Sequence, residues 1–398
     1  MTSVVVVADG HYLKTPNGDV YVESVFNYDF YKRYLSVFDH VYAIGRIEEL
    51  GEVPAEKKRA DGPGVTFLPI APGKGLISYA VNYITNALAI SRYLEQYGDC
   101  AIFRLPGVVP NLAEKIFRRS GKPYGIEVVV DPWEYFAPGA NDGFVRGVVR
   151  RVWTKNLKRS CRSAKGVSYV TENYLQEKYP CRALQDEPGY FTSHYSSVEI
   201  PDDSISAPKS SFLCNRLTIS HVANHFDGNA KGHITLLNVV RKVKEDGYDV
   251  EVVFVGDGPS RGDYEKLAKN LGIESLVTFA GKMPDGAAVR KVIAESDLFV
   301  FPTKAEGLPR VLLEAMAEGL PCLSSPVCGI PEILDDENMF SPNDVDGFVD
   351  RIEYLIENPN VLCEMSKKNV EVASRYVNSE LQARRAKFYR QLKEGCRQ

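Results

Sequence analysis

Short apolar or β-branched runs alternate with stretches of helical periodicity along nearly the whole chain. That alternation leaves few folds open, the leading one being parallel sheets covered by helices on both faces. In the first half the runs are residues 4–8, 40–44, 65–70, 101–105, 126–130 and 166–170. In the second half they are 217–223, 250–255, 276–280, 298–301 and 321–324. Each set suffices for one sheet, and 398 residues exceed what a single hydrophobic core commonly supports. Between the sets, residues 199–211 are polar, interrupted by Pro201 and Pro208 and without periodicity, which places the boundary near residue 207. The expectation is an α/β chain with a Rossmann-like domain over 1–206, a second over 207–375, and a basic amphipathic helix within 376–398 that packs back on the first domain.

Composition narrows the partners. A formal net charge of -4 gives no global field for nucleic acid, so an anionic ligand must be held by local groups. The eight cysteines are scattered, with no C-x-x-C pair and no histidine at zinc-ligand spacing, and they read as small hydrophobes in a reducing compartment. Met1 leads directly into an apolar run over residues 3–8 that lacks a basic leader and is too short to span a bilayer. Cytoplasmic residence is therefore expected.

The second half carries the chemistry. Val252 to Pro259 is a strand running into the turn Gly256-Asp257-Gly258, where backbone can approach a ligand. An ordinary strand-to-helix turn fits the same residues. A dinucleotide fingerprint does not, because the third glycine is replaced by Arg261 and the strand is a late one. Lys231-Gly232-His233 precedes a helix bearing Ile234, Leu237, Val240 and Val243 on one face. A cation at a helix N-terminus opposes the macrodipole and points to an anion between them, with a solvated surface lysine as the alternative. In residues 299–319 a strand ends at Phe301, a loop delivers Glu306-Gly307, and Pro309 opens a helix that closes at Gly319. The amides of Leu308, Arg310 and Val311 would face a pyrophosphate, and Glu306 and Glu314 fall about two turns apart on one helix face.

Together, Lys231-Gly232, the Val-Gly-Asp-Gly-Pro turn, the strand end Phe279-Ala280-Gly281-Lys282 and Glu306-x7-Glu314 inside Glu-Gly-Leu-Pro-Arg resemble the donor site of family 4 retaining glycosyltransferases. The likeness runs from about residue 222 to residue 334. It implies the GT-B fold of the group 1 glycosyl transferases, two facing Rossmann-like parallel-sheet domains with a deep cleft between them. It further implies that Lys231 neutralises the donor diphosphate and that Glu314 hydrogen-bonds the ribose. Glu306, with the amides near Gly307, Leu308 and Pro309, would hold the sugar, while Lys282 and Met283 offer backbone to the base and Gly256 and Gly258 complete the site. The family's arginine ahead of the Lys-Gly pair is absent. Asn224 stands in its place, so the clamp is weaker or Arg261 or Arg310 supplies the charge.

The first half is less legible. The segment from Asp9 to Gly18 resembles the family's glycine loop, with Gly18 before a helix so that backbone reaches the phosphates, or else it is a flexible surface loop. Where the family often shows a histidine, this chain has Asp131-Pro132-Trp133-Glu134. Asp131 and Glu134, with Arg104 at the neighbouring strand end, are the candidates to orient an acceptor hydroxyl, Asp131 joining Lys231 and Glu306 as a catalytic group. A helix cap for Asp131 and an ion pair for Arg104 are the structural alternatives. Residues 146–165 hold many cations, no acids and apolar residues at helical spacing. Two readings stay open there: a helix laid on an anionic membrane, or a solvated basic face.

The resemblance implies transfer of a hexose or related sugar from a UDP- or GDP-sugar co-substrate to a saccharide hydroxyl, with anomeric configuration kept, by front-side displacement. Such catalysis is positioning and charge stabilisation, in surface polysaccharide or glycoconjugate assembly. No further cofactor is expected. No metal is expected either, since Lys231 and a helix N-terminus take its place, and Asp344-Val345-Asp346 reads as a helix cap. Membrane contact would make a polyprenyl-linked acceptor natural and place the protein on the inner face of the cell membrane. The rival functions are a nucleotide-sugar-binding subunit without turnover and a nicotinamide enzyme, the latter disfavoured by the missing fingerprint.

Overall fold

The computed structural model describes residues 2–51, 57–73, 75–137, 146–212 and 216–396. The first domain is built on β1 (Ser3–Lys14), β2 (Val20–Val22), β3 (His40–Glu49), β4 (Lys58–Arg59), β5 (Val65–Ile70), β6 (Ala101–Leu105), β7 (Gly125–Val128), β8 (Gly166–Tyr169) and β9 (Phe191–His194). Seven of these run parallel in the order β5-β3-β1-β6-β7-β8-β9. The short β2 and β4 extend the far end of β1 antiparallel. The second domain carries β10 (Leu217–His225), β11 (Val250–Asp257), β12 (Val277–Gly281), β13 (Leu298–Phe301) and β14 (Cys322–Ser324), all parallel in the order β12-β11-β10-β13-β14. Helices cover both faces, so the central strands are apolar without alternation, and Val4 to Val7 are wholly inaccessible. In each sheet the winding reverses beside its first strand, at β1/β6 and β10/β13, where doubly wound folds place their ligands.

Three strands escaped the sequence pattern, namely β2, β4 and β9, and β1 continues six residues past its apolar run. The reason lies in Tyr12, whose buried ring lies so close to Gly10 and Gly45 that a Cβ on either would come within 2.4 and 2.5 Å of it. Residues 9–14 thus belong to a strand and not to the glycine loop expected from Asp9 to Gly18, and Gly10 and Gly45 make room for an aromatic ring. Gly18 therefore does not precede a helix. It occupies the turn between β1 and β2 at φ 93, with nothing within 4 Å of where a Cβ would stand, which corrects its assignment to a phosphate-approaching loop.

The connection is pinned to the second domain, Ser206 donating to the Ala317 carbonyl at 2.8 Å and the Lys209 amide to Ser366 Oγ at 2.8 Å. The helix Asn378–Gly395 then packs on the first domain. Tyr389 stacks on Tyr34 with centroids 4.8 Å apart, and Phe388 meets Phe191 at 5.1 Å. Among the described residues, no helix is long and apolar enough to cross a membrane.

Candidate active site

Two loops at the carboxyl end of the second sheet converge. Gly232, at φ 79, heads the helix His233–Glu245 and passes so near β13 that a Cβ would lie 2.2 Å from the Pro302 carbonyl oxygen. The Lys304 amide donates to the Ala230 carbonyl at 2.9 Å and locks the loops together. Lys231 is thereby held against the loop after β13, where its Nζ pairs with the Glu306 carboxylate and lies 3.4 Å from the Ala305 carbonyl oxygen. Thr303 Oγ1 stands 3.5 Å from the same carboxylate oxygen. The helix Arg310–Ala317 follows, with extended Pro309 at its N-cap rather than in its first turn. Burial raises the Glu314 pKa above the usual carboxylate range; Arg310 and Arg290 oppose the shift and Glu199, from the approach to the connection, adds to it. One patch thus gathers Lys231, Glu306, the head of a helix and a partly desolvated carboxylate.

The glycines of the Gly256-Asp257-Gly258 turn answer to packing. Gly256, at φ 129, would put a Cβ 1.8 Å from the Ala223 carbonyl oxygen, and Gly258 one at 2.6 Å from that of Phe226. They fit the turn onto the segment that carries Asn224, which is exposed, and so shape the site from behind. This corrects their reading as a direct approach to ligand. Arg261 is shared between Glu265 at 2.8 Å and Asp257 at 3.5 Å. Lys282 is exposed and lies 3.6 Å from Glu23 of the first domain, with Met283 beside it half-buried.

The two domains meet at the donor loop. Gly307 has no room for a side chain, because its Cβ would fall 2.2 Å from the Val129 carbonyl oxygen at the end of β7. The Gly329 amide holds the Gly307 carbonyl at 3.0 Å from the second domain's side. Two residues beyond Val129, Asp131 is fully buried. It accepts from the Trp133 amide at 2.8 Å, from the Tyr174 hydroxyl and Lys178 Nζ at 3.3 Å each, and from the Tyr179 hydroxyl. A carboxylate with four donors and no solvent contact cannot receive an acceptor hydroxyl, so the catalytic expectation for Asp131 is corrected to a positioning role. It caps the short helix Pro132–Tyr135 and aims Lys178. Glu134 stays 30% exposed, 3.6 Å from Lys178 Nζ. Arg104 pairs with the buried Glu127 at 3.0 Å, and that carboxylate also accepts from the hydroxyls of Tyr34, Tyr195 and Tyr389. The acceptor assignment of Arg104 gives way to the ion pair. Asp344 caps its helix through the Gly347 amide at 3.0 Å, and Asp346 pairs with Lys242.

Two residues were missed altogether. Lys178 reaches both acids at the end of β7, and Glu332 of the second domain accepts from the amides of Glu172, Asn173 and Tyr174 at 2.5, 2.9 and 2.6 Å, closing the head of the helix Tyr174–Lys178. Their partners lie about 160 positions away in the case of Glu332, so no local spacing announces them.

Residues 222–372, the stretch holding Lys231, Glu306 and Glu314, match the family model of the glycosyl transferases group 1. In that stretch the second domain is similar to the group 1 glycosyl transferases. The chain is 29% identical to Protein CapJ of Staphylococcus aureus over 82% of this chain and 80% of that one. Its fold is similar to that of sucrose-phosphate synthase from Thermosynechococcus elongatus, with a TM-score of 0.67, 15% identity and coverage of 98% and 99% of the two chains. It is likewise similar to HepE of Anabaena, solved in complex with UDP, with a TM-score of 0.64, 14% identity and coverage of 96% and 98%. Both likenesses identify the GT-B architecture of two Rossmann-like domains.

Proposed function

We propose that this glycosyltransferase moves a sugar from a nucleoside diphosphate sugar to a saccharide hydroxyl with retention of configuration, in the assembly of a surface polysaccharide or glycoconjugate. The observation that carries the reading is the Lys231–Glu306 pair set at the head of the helix Arg310–Ala317, with Glu314 further along it. A diphosphate would take Lys231 and the helix amides, the ribose would take Glu314, and Glu306 would be left beside the anomeric carbon. With Gly307 packed against Val129, that carbon would lie near the first domain's strand ends, where Glu134 and Lys178 would be available to an acceptor. The charge needed by the leaving diphosphate is present in side chains and amides, so no metal is assigned. UDP is the donor nucleotide we favour, since a fold neighbour was solved with it. Incubating the full chain with a panel of UDP- and GDP-sugars and a saccharide acceptor tests the reading: an α-linked product from an α-linked donor supports it, and an inverted product refutes it.

The acceptor is proposed to be lipid-linked, with the protein resting on an anionic membrane through the helix Arg146–Ser163, whose Val148 and Val152 are exposed beside its cations. Each basic residue near such a surface contributes roughly 1 kcal/mol. Val148→Asp with Val152→Asp should reduce cosedimentation with phosphatidylglycerol vesicles, and unchanged binding would remove the membrane from the proposal.

A further inference from the structure

Away from the Lys231–Glu306 pair, the described residues hold a groove of about 600 Å³ between the helix Arg146–Ser163 and the turn bearing Arg182. Its volume falls in the range of ligand-binding clefts. Six cations line it, Arg151, Lys155, Lys158, Arg159, Arg162 and Arg182. Within them, Arg151, Lys155, Lys158 and Arg162 form one row, spread over only about 60° of the helix circumference and about 16 Å of its length. Like charges at these spacings destabilise a helix. Nothing within the helix relieves them, because it contains no acid. Among the described residues, none of its groove cations pairs with a carboxylate, whereas Arg182 in the opposite wall has Glu187 at 3.5 Å. Trp133 also lines the groove. It is 40% exposed, one ring face is covered by the Arg150 guanidinium at 3.8 Å, and its amide is bonded to Asp131 at the domain junction. One lining residue of the groove is thus tied to the strand end that faces the Glu306-Gly307 loop.

We infer that this groove holds an acidic saccharide, the acceptor chain of the proposed reaction, with its negative groups along the cation row and a sugar ring against Trp133. The inference rests on the glycosyltransferase reading. A row of charges in a concavity suits a linear polyanion: one diphosphate is too short to meet four cations over that length, and a flat membrane surface does not enter a groove walled by Arg182. Carboxylate-bearing sugars in a chain recur at intervals comparable to the cation spacing.

The test uses the full chain saturated with UDP, so that the donor site is filled, and titrates a hexamer of galacturonic acid beside maltohexaose as the neutral control. The acidic oligomer should bind, with affinity falling as salt rises, and the neutral one should not. Arg151→Gln with Lys155→Gln and Arg162→Gln should weaken the acidic oligomer tenfold or more, with UDP affinity unchanged and a melting temperature no lower than that of the wild type, since like charges are removed. Trp133→Ala, which keeps the amide that Asp131 holds, should weaken it severalfold. Equal binding of the two oligomers overturns the inference, as does a triple variant that binds the acidic one like the wild type. So does a triple variant that loses only phosphatidylglycerol vesicles, which would make the groove a membrane contact. Failure of the wild type to bind any nucleoside diphosphate would instead overturn the glycosyltransferase reading beneath it.

Discussion

Lys231→Ala and Glu306→Gln perturb one ion pair from its two sides and should fail in opposite ways. In the free protein the Lys231 side chain is 33% exposed and that of Glu306 17%, so the pair is only partly desolvated. An arriving diphosphate competes with Glu306 for the ammonium. A hydrogen bond to a charged group contributes about 1.5–3 kcal/mol, so Lys231→Ala should raise the UDP dissociation constant roughly 10- to 150-fold. Uridine, which has no phosphate to lose contact with, should bind as before. The ion pair itself, at this exposure, is worth about 0.2–1 kcal/mol. Releasing Lys231 from it by Glu306→Gln should leave UDP affinity unchanged or tighten it by up to roughly fivefold. Turnover should nevertheless fall, because the carboxylate proposed to face the anomeric carbon is gone just where positive charge develops on the ring. Calorimetric titration of both variants with UDP and with uridine, beside initial rates and a check of folding by circular dichroism, measures all of this. The reasoning is refuted if Lys231→Ala loses uridine and UDP equally. It is refuted as well if Glu306→Gln weakens UDP as much as Lys231→Ala does, since the pair would then be a structural unit and not a competition.

Glu314→Gln should stabilise the free protein at pH 7 while raising the donor Michaelis constant roughly 10- to 100-fold. Its folded pKa lies above the usual value, so the protonated carboxyl is the favoured buried form and a stabilisation present at low pH is lost as pH rises through that pKa; an amide escapes the loss, but offers the ribose hydroxyls one neutral acceptor oxygen in place of two charged ones. A melting temperature that falls in Glu314→Gln would contradict the burial argument. The neighbouring histidines give the reverse pH slope. His221 is lowered to about 4 and His233 to about 2 by burial, the first donating Nδ1 to the Val300 carbonyl at 2.9 Å and the second stacked on Tyr264 at 4.7 Å. Both must be neutral to stay folded, so stability is greatest above the unfolded value near 6.5 and falls as pH drops below it, by about 2 kcal/mol per histidine between pH 7 and pH 5. His233→Phe should remove about 2 kcal/mol from that pH difference in denaturant midpoints, and an unchanged difference would show that the ring is not buried neutral. Transfer activity should survive excess chelator; restoration of a lost activity by magnesium or manganese would return the diphosphate charge to a metal.

The donor half could be read from the chain because its parts are local. Lys231 with Gly232, and Glu306 with Gly307 and Glu314, each sit on one strand-loop-helix unit, where glycine, proline and helical period fix the geometry within a dozen residues. Even there the reason for a residue was sometimes misjudged: Gly256 and Gly258 look like openings for a ligand, and they are instead places where backbone touches backbone. The acceptor half resisted because its groups are assembled across the chain. Glu127 draws tyrosines from positions 34, 195 and 389, and Asp131 draws Tyr174, Lys178 and Tyr179. No spacing encodes such meetings. Asp131 shows the resulting error most clearly, since a carboxylate at a strand's carboxyl end looks catalytic until its four donors are seen.

This division has a functional consequence. Donor recognition as proposed rests on contiguous motifs and can persist while much of the first domain is rebuilt, provided that contacts such as Gly307 against Val129 and Glu332 against the amides of residues 172–174 are kept where the halves meet. Glu332→Gln tests how much that meeting matters. The carboxylate ends a short helix whose Lys178 reaches Asp131 and Glu134, so its loss should reach the acceptor through Lys178 and spare the donor motifs. The acceptor Michaelis constant should rise and turnover fall with UDP affinity held within about twofold, since hydrogen bonds to a charged acceptor are worth about 1.5–3 kcal/mol and none of these touches the nucleotide side. If UDP affinity falls in step with turnover, the two halves of the site are not separable and acceptor recognition cannot have been built independently of the donor motifs.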